Sequence, residues 1–115
     1  MSSHRMERLS HQVQEEIALL LVSGKIKDPR VDSLLSITRV EVSKDLAWAD
    51  VHVSSVNAGK DLDRAIMGLQ SAAGFIQATL GAKLHIRQTP RLRFHADHSL
   101  KDGFELVRKL EDLAD

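Results

Sequence analysis

Cysteine and tyrosine are absent from this chain of 115 residues, and tryptophan and phenylalanine together supply only four aromatic side chains. Without cysteine, disulfides, thiolate zinc sites and cysteine nucleophiles are excluded. The longest apolar run covers residues 17–22 and is far shorter than the roughly 20 residues of a membrane span. His4, Arg5 and Glu7 interrupt any apolar stretch of a signal peptide. We therefore expect a cytoplasmic protein that does not enter a membrane.

Motifs of catalysis and nucleotide binding are also missing. The sequence contains no GxxxxGK(S/T), GxSxG, HExxH or GxGxxG pattern. Six histidines and many carboxylates could build an acid–base site, although nothing in their spacing requires one. A metal site on His95, Asp97 and His98 is an alternative, but the cluster is too short to define one. The pattern favours a binding protein over an enzyme, with no cofactor.

Hydrophobic periodicity and chain length indicate one domain that contains helices and strands. A chain of this size buries roughly two thirds of the surface of its unfolded state, so a hydrophobic core can hold it. Apolar residues at steps of three and four predict a first helix that ends at Gly24. Alternating patterns around the turn Ser43-Lys44-Asp45 predict an antiparallel hairpin, with Thr38, Val40 and Val42 on one face of its first strand.

The next predicted helix, over residues 61–80, contains glycines that weaken it. Gly68 and Gly74 each cost about 1 kcal/mol relative to alanine in a helix interior. One interpretation is that small residues let this helix pack closely on the sheet. The other is a break at Gly74, with a second helix that starts at Phe75 and presents its backbone N–H groups to a phosphate. The sequence leaves both open.

A third strand is predicted from Lys83 to His95, and a terminal helix over residues 100–113. Alternate side chains of a strand point to opposite faces. One face of this strand would be mostly apolar, and the other would carry the basic side chains of Lys83, Arg87, Arg91 and Arg93. The alternative is that these charges only discourage edge-to-edge association of strands. Pro90 suggests an edge position or a bulge.

Charge is distributed unevenly along a chain whose formal net charge is zero. Residues 83–101 contain five basic residues and one acid, whereas residues 102–115 contain two basic residues and five acids. A local basic surface of this kind is typical of phosphate recognition. Arg5 and Arg8 on the first helix could add phosphate contacts or form a solvated face. Trp48 could stack on a base, dock on a partner or pack within the fold.

Several stretches, in their order and spacing, resemble the ribosome-binding factor A family. They cover nearly the whole chain and are Arg5-x-x-Arg8, Lys27-Asp28-Pro29-Arg30, Val40-x-Val42-Ser43-x-Asp45-Leu46 with Ala49, Ala72-Ala73-Gly74-Phe75-Ile76, and Thr89-Pro90-x-Leu92-x-Phe94-x-x-Asp97.

The resemblance implies an α+β fold, a single KH-like domain of type II topology, α-β-β-α-kink-α-β. This domain would occupy residues 1–98, and residues 99–115 would form a C-terminal helix with an acidic tail. KH domains clamp a nucleic-acid backbone with a GxxG loop. The family has an alanine-x-glycine kink instead, which corresponds to Ala72-Ala73-Gly74. The family often has arginine where this chain has Gln77, and this departure shifts phosphate binding toward Arg87, Arg91 and Arg93.

The function implied is that of a non-enzymatic assembly factor. Such a factor binds 16S rRNA and the free 30S subunit, acts late in 30S maturation, supports processing of the 16S rRNA 5′ end and is linked to growth in the cold. We expect a monomer, with other small-subunit assembly factors as further partners. The RNA-binding residues expected are Ala72, Ala73, Gly74, Lys83, Arg87, Arg91, Arg93, Arg5, Arg8 and Arg30. The alternative is an adaptor that recruits a protein partner through its acidic C-terminal helix, with incidental RNA contact.

Overall fold

The computed structural model describes residues 2–32, 34–55 and 62–98. Its elements follow the order that the resemblance implies, and they are α1 (Ser2–Val22), β1 (Leu35–Val42), β2 (Trp48–Ser55), α2 (Leu62–Ser71), α3 (Ala73–Leu84) and β3 (Arg91–Ala96). The α+β class is therefore confirmed. The predicted terminal helix lies outside the described residues. Within the described ranges, no helix combines the length and the apolar character needed to cross a membrane.

Gly24 ends α1 as predicted. Its φ is 67°, in the left-handed region that glycine adopts without steric cost. The amides of Gly24 and Lys25 donate to the carbonyls of Leu21 and Leu20, each at 3.2 Å. These bonds satisfy carbonyls that have no partner in the last helical turn. The chain then leaves α1 and reaches β1.

The three strands form one sheet in the order β1-β2-β3. β1 and β2 are antiparallel, so the predicted hairpin is confirmed, and β3 lies parallel to β2 on its other side. Asp45 organises the hairpin turn by accepting hydrogen bonds from the Ser43 hydroxyl at 2.7 Å and the Ala47 amide at 3.0 Å. The same bonds, that from Ser43 above all, hold the pKa of Asp45 below its ordinary value.

A β-bulge in β1 overturns one predicted side-chain direction. The pairing register shifts between Ile37 and Arg39, and Thr38 is exposed while Val40 and Val42 are buried. An extra residue at a bulge moves the alternation out of phase, and sequence periodicity alone does not locate it. The Thr38 hydroxyl consequently lies 2.6 Å from an Asp97 carboxylate oxygen and 3.2 Å from the His52 carbonyl oxygen.

A single core joins the helices to one face of the sheet. Val51, Leu92 and Phe94 of the sheet are buried in the same cluster as Ile17 of α1 and Leu69 of α2. α1 packs on β1, whereas α2 and α3 pack on β3. Because strand side chains alternate between faces, the outward side chains of β2 and β3 lie on the face opposite the helices. The molecule therefore presents a helical face and a sheet face.

The predicted break in the middle helix is present, but it occurs at Ala72 and not at Gly74. α2 ends at Ser71, and Ala72 has φ −90° and ψ 3° before α3 begins. The two glycines differ in their surroundings. A Cβ on Gly68 would lie 3.0 Å from Val31 Cγ2 and 3.1 Å from Arg30 Cβ, whereas a Cβ on Gly74 would meet no atom within 4 Å. Close packing thus explains Gly68 but not Gly74.

The predicted strand from Lys83 to His95 is wrong in its first half. α3 continues to Leu84 and ends at His85, whose φ is 52°, and β3 begins only at Arg91. Gly81 does not end the helix. It makes room for the following loop, because a Cβ there would lie 2.8 Å from Thr89 Oγ1. Lys83 therefore lies on α3 and Arg87 in the loop, so neither belongs to a basic strand face.

Candidate nucleic-acid interface

The start of α3 is partly exposed and has no capping side chain, and Ala72 and Ala73 are half-buried against the core. Ala72, at the N-cap, makes no side-chain hydrogen bond, and the first turn contains no acidic residue. Gly74 is exposed, and Phe75 is 50% exposed. The first N–H groups of an α-helix lack intrahelical acceptors and carry partial positive charge. This geometry suits an anion such as a phosphate.

Arg30 lies beside the kink because an Asp-Pro turn holds it there. Its guanidinium donates to Ser71 Oγ at 3.3 Å, at the end of α2. Asp28 accepts from Arg30 Nε at 3.0 Å, from Nη2 at 2.8 Å and from the Arg30 amide at 2.9 Å. These bonds lower the pKa of Asp28 to about 2 and raise the pKa of Arg30. Arg30 is thus a positioned cation at the kink.

Part of the Arg30 guanidinium stays available to a ligand. A guanidinium has five N–H donors. Asp28 and Ser71 engage Nε and Nη2, and no acceptor among the described residues engages Nη1. Asp28 compensates the charge of Arg30, but it also fixes the direction of the side chain. A phosphate at the kink would meet an ordered donor and not a mobile one.

Gln77 has an internal partner. Its side-chain amide donates to the Thr89 carbonyl at 3.1 Å and so ties α3 to the loop over residues 85–90. Lys83 and Arg87 are exposed near the C-terminal end of α3, away from the kink. The position at which the family often has arginine therefore serves loop packing in this chain.

Arg91 and Arg93 lie on the sheet face. In β3 these residues are exposed while Leu92 and Phe94 are buried, so the predicted alternation is confirmed for this part of the strand. The register places Asp50 opposite Arg93, and Asp50 binds the guanidinium through Nε at 2.9 Å and Nη2 at 3.2 Å. Partial burial raises the pKa of Asp50, but hydrogen bonds from His95 and Arg93 outweigh it, and the pKa lies below its ordinary value.

The candidate metal ligands have separate partners. His95 Nε2 lies 2.8 Å from Asp50 Oδ1, and the His95 ring stacks on His52 with 5.1 Å between centroids. Asp97 contacts Thr38, while His98 lies 4.0 Å from Asp63. Across the described ranges, no group of three or more metal-binding side chains converges.

The predicted site residues do not form one surface. Ala72, Ala73 and Gly74 lie on the helical face with Arg30, whereas Arg91 and Arg93 lie on the opposite face of the sheet. Arg5 and Arg8 are exposed on α1, a separate element from the kink. The combined surface of the kink and the third strand that the sequence predicts is therefore wrong in its geometry.

Sequence reasoning missed Asp28, Ser71 and Asp50 as residues that position the site. A signal existed for Asp28, because an aspartate before proline often accepts the amide two residues later. No comparable signal existed for Asp50, whose role depends on the pairing of β2 with β3. Ser71 acquires its role only because the Asp28 turn packs on α2 at Gly68.

Sequence comparison finds close relatives over nearly the full chain. The family model described as Ribosome-binding factor A matches residues 5–110. A ribosome-binding factor A from Treponema denticola is 53% identical over 113 residues, which cover 98% of this chain and 86% of the relative. One from Dictyoglomus thermophilum is 43% identical over 109 residues, which cover 95% of this chain and 90% of the relative.

Solved structures give the same result. The crystal structure of ribosome-binding factor A from Thermus thermophilus superposes with a TM-score of 0.67 at 26% identity, covering 79% of this chain and 94% of that chain. A homology model of the Thermus thermophilus ribosome binding factor A, fitted into a cryo-EM map of a 30S–RbfA complex, has a TM-score of 0.62 at 27% identity, and the match covers 77% of this chain and 91% of that chain. This chain belongs to the ribosome-binding factor A family.

Proposed function

We propose that this protein is a non-enzymatic assembly factor that binds the 30S ribosomal subunit through 16S rRNA. The Thermus thermophilus relative fitted into a map of a 30S complex supports the subunit as the partner. The observation that supports the RNA contact is the partly exposed, uncapped start of α3 with Arg30 held beside it. Charge-assisted hydrogen bonds from arginine and backbone amides are common contacts to RNA phosphates.

The kink comprising Ala72, Ala73 and Gly74 would be the principal phosphate contact. Arg30 and the Ser71 hydroxyl lie at its edge, and the open space above Gly74 would let a phosphate oxygen approach the backbone closely. The remaining basic residues would add contacts at the margins of a larger footprint, and these are Arg5, Arg8, Lys83, Arg87, Arg91 and Arg93. Arg93 would contribute least charge, because Asp50 already compensates it.

The biological role proposed is late maturation of the 30S subunit. It includes support for processing of the 16S rRNA 5′ end and for growth in the cold, in the cytoplasm. The protein would act as a monomer, alongside other small-subunit assembly factors. Residues 1–98 would form the KH-like RNA-binding domain, and residues 99–115 would extend it as an acidic C-terminal helix.

Cosedimentation of purified protein with free 30S subunits tests this proposal. We expect binding to weaken as salt rises, by about 0.7 to 0.9 log units per log unit of salt for each phosphate contact. Arg30→Gln should lower the affinity and reduce the salt slope by about one contact. Arg39→Gln is a control, because Arg39 is likewise an arginine paired with a carboxylate, Glu41 at 2.8 Å, but lies on β1 and not beside the kink.

Two outcomes would contradict the proposal. The first is absence of the wild-type protein from the 30S fraction at low salt. The second is subunit binding that neither salt nor ribonuclease weakens. The second result would favour the adaptor alternative, in which the five acids of residues 102–115 attract a protein partner. Far-UV circular dichroism of each variant would show whether the fold is retained.

A further inference from the structure

A second cluster with the chemistry of RNA binding lies on the sheet face, at the start of β2 and β3. It consists of Trp48, Asp50, Arg91 and Arg93, which we name the Trp48 platform. The register pairs Trp48 with Arg91 and Asp50 with Arg93. The Arg93 guanidinium carbon lies 4.5 Å from the centroid of the indole, and that of Arg91 lies 5.8 Å away. The two guanidinium groups and the indole thus form a compact group of planar side chains.

Asp50 orders Arg93 within this group. Its carboxylate accepts two hydrogen bonds from the guanidinium of Arg93. His95 Nε2 lies 2.8 Å from Oδ1 of the same carboxylate. A bidentate pair restricts the rotation of a long side chain. The pair also neutralises Arg93, so the group retains a flat surface for stacking but attracts a phosphate only weakly. Its geometry therefore suits a planar ligand more than a simple anion.

Arg91 differs from Arg93 in its charge balance. It is exposed, and among the described residues no carboxylate forms an ion pair with it. The other exposed arginine of the described sheet face, Arg39, is paired with Glu41 at 2.8 Å. Arg91 consequently offers an uncompensated cation next to a stacking surface. A nucleotide combines the two complementary groups, a flat base and an anionic phosphate.

We propose that the Trp48 platform binds one unpaired nucleotide of a single-stranded RNA segment. The base stacks on the indole and the Arg93 guanidinium, and Arg91 contacts the adjoining phosphate. Unstacked RNA bases commonly stack on aromatic rings and guanidinium planes. This inference rests on the proposed RNA-binding function and adds a site to it. Because the platform and the kink lie on opposite faces, the protein would contact two RNA segments at once.

The composition of the sheet face favours RNA over a protein partner. Protein interfaces need a central cluster of buried apolar side chains. The large apolar side chains that are exposed in the described residues lie on the helices and in loops or turns, and they are Leu19, Val22, Leu34, Leu46, Met67 and Phe75. The neighbours of Trp48 on the strands are instead polar or charged.

Intrinsic fluorescence can test the platform directly, because Trp48 is the sole tryptophan and the chain has no tyrosine. We expect a single-stranded adenosine oligonucleotide of about six residues to quench this fluorescence in a saturable manner. A fully paired RNA hairpin should quench it much less. Trp48→Leu should weaken binding of the labelled oligonucleotide about 10-fold or more in fluorescence anisotropy, and Trp48→Phe should recover part of the loss.

Charge-matched variants separate the platform from nonspecific attraction. Arg91→Gln should lower the oligonucleotide affinity and the salt slope by about one phosphate contact, while Arg39→Gln should change neither. Unquenched fluorescence at a saturating oligonucleotide concentration would overturn the platform, as would equal effects of the two variants. Loss of 30S binding in Trp48→Leu without any quenching by RNA would point to a protein partner and would also overturn it.

Failure of the platform is distinguishable from failure of the proposed function. If Trp48 stays unquenched while Arg30→Gln still loses affinity for 30S subunits, the kink remains the RNA site and only the platform is wrong. If the wild-type protein binds neither subunits nor oligonucleotide, the proposed function itself fails. Retained quenching by the oligonucleotide in Arg30→Gln would support two separate RNA sites.

Discussion

Replacing Gly74 by alanine separates the folding role of the kink from its binding role. Gly74 is the second residue of α3, and Gly24 is the only described glycine with a positive φ. A Cβ at Gly74 would contact no atom within 4 Å. Alanine is therefore accommodated without strain, and it favours the helix by about 0.5–1 kcal/mol relative to glycine. For a domain of this size that gain raises the melting temperature by about 2–8 °C.

The same methyl group should impair binding. If a phosphate approaches the backbone at Gly74, an added Cβ occupies the space that the phosphate needs, and we expect an affinity loss of about 10-fold, which corresponds to about 1.4 kcal/mol. Thermal unfolding followed by circular dichroism measures the stability, and cosedimentation with 30S subunits measures the binding. A variant that is more stable yet binds as well as wild type would refute the close approach. A less stable variant would refute the helical start assigned to α3.

Gly68→Ala is the control with the same chemical change in the same helical pair. Here the new Cβ would lie 3.0 Å from Val31 Cγ2 and 3.1 Å from both Arg30 Cβ and Asp28 Oδ1. These contacts are tighter than ordinary van der Waals distances, so crowding offsets the gain in helix propensity. We expect Gly68→Ala to melt below Gly74→Ala. Equal melting temperatures of the two variants would show that the turn at Asp28 moves away from the new methyl group without loss of stability.

Two further variants test other parts of the structure. Asp28 has a pKa of about 2 in the folded protein against an ordinary 3.8, so it contributes stability above its unfolded pKa that is lost as the pH falls toward 2. Asp28→Asn should lack that acid-dependent loss in urea unfolding between these pH values. Gln70→Ala removes hydrogen bonds with the Leu92 carbonyl and the Phe94 amide on the edge of β3 that does not pair with β2, and urea unfolding should show a loss of stability of about 1–3 kcal/mol.

Local patterns in the sequence predict the elements whose boundaries depend on nearby residues. The end of α1 at Gly24 and the hairpin around Asp45 follow from backbone preferences within a few positions. Helix propensity predicts the break of the middle helix at Gly74, the weakest helix former in the stretch, which is two residues after the observed break. The helix instead breaks at Ala72, although alanine is a strong helix former, so local propensity does not locate the break.

Tertiary pairing decides the features that the sequence did not reveal. The alternation from Lys83 to His95 fits a strand, but residues 82–84 also favour a helix, and contacts of Gly81 and Gln77 with Thr89 select the helix. The bulge at Thr38 likewise depends on the register with β2. The count of charged residues along the chain does not show that Asp50 faces Arg93. These two residues are 43 positions apart and meet only because β3 pairs with β2.

Cross-strand pairing also changes what the zero net charge means for RNA binding. On the described sheet face, carboxylates balance two of the three exposed arginines, in the pairs Arg39 with Glu41 and Arg93 with Asp50, whereas Arg91 forms no ion pair with a described residue. Residues 62–90, which form α2, α3 and the following loop, contain three basic residues and one acid. An excess of positive charge is therefore present in this helical segment, which contains the kink, as well as at Arg91 on the sheet face. Because phosphate contacts depend on salt and stacking does so much less, salt should weaken the kink contact more than stacking on Trp48.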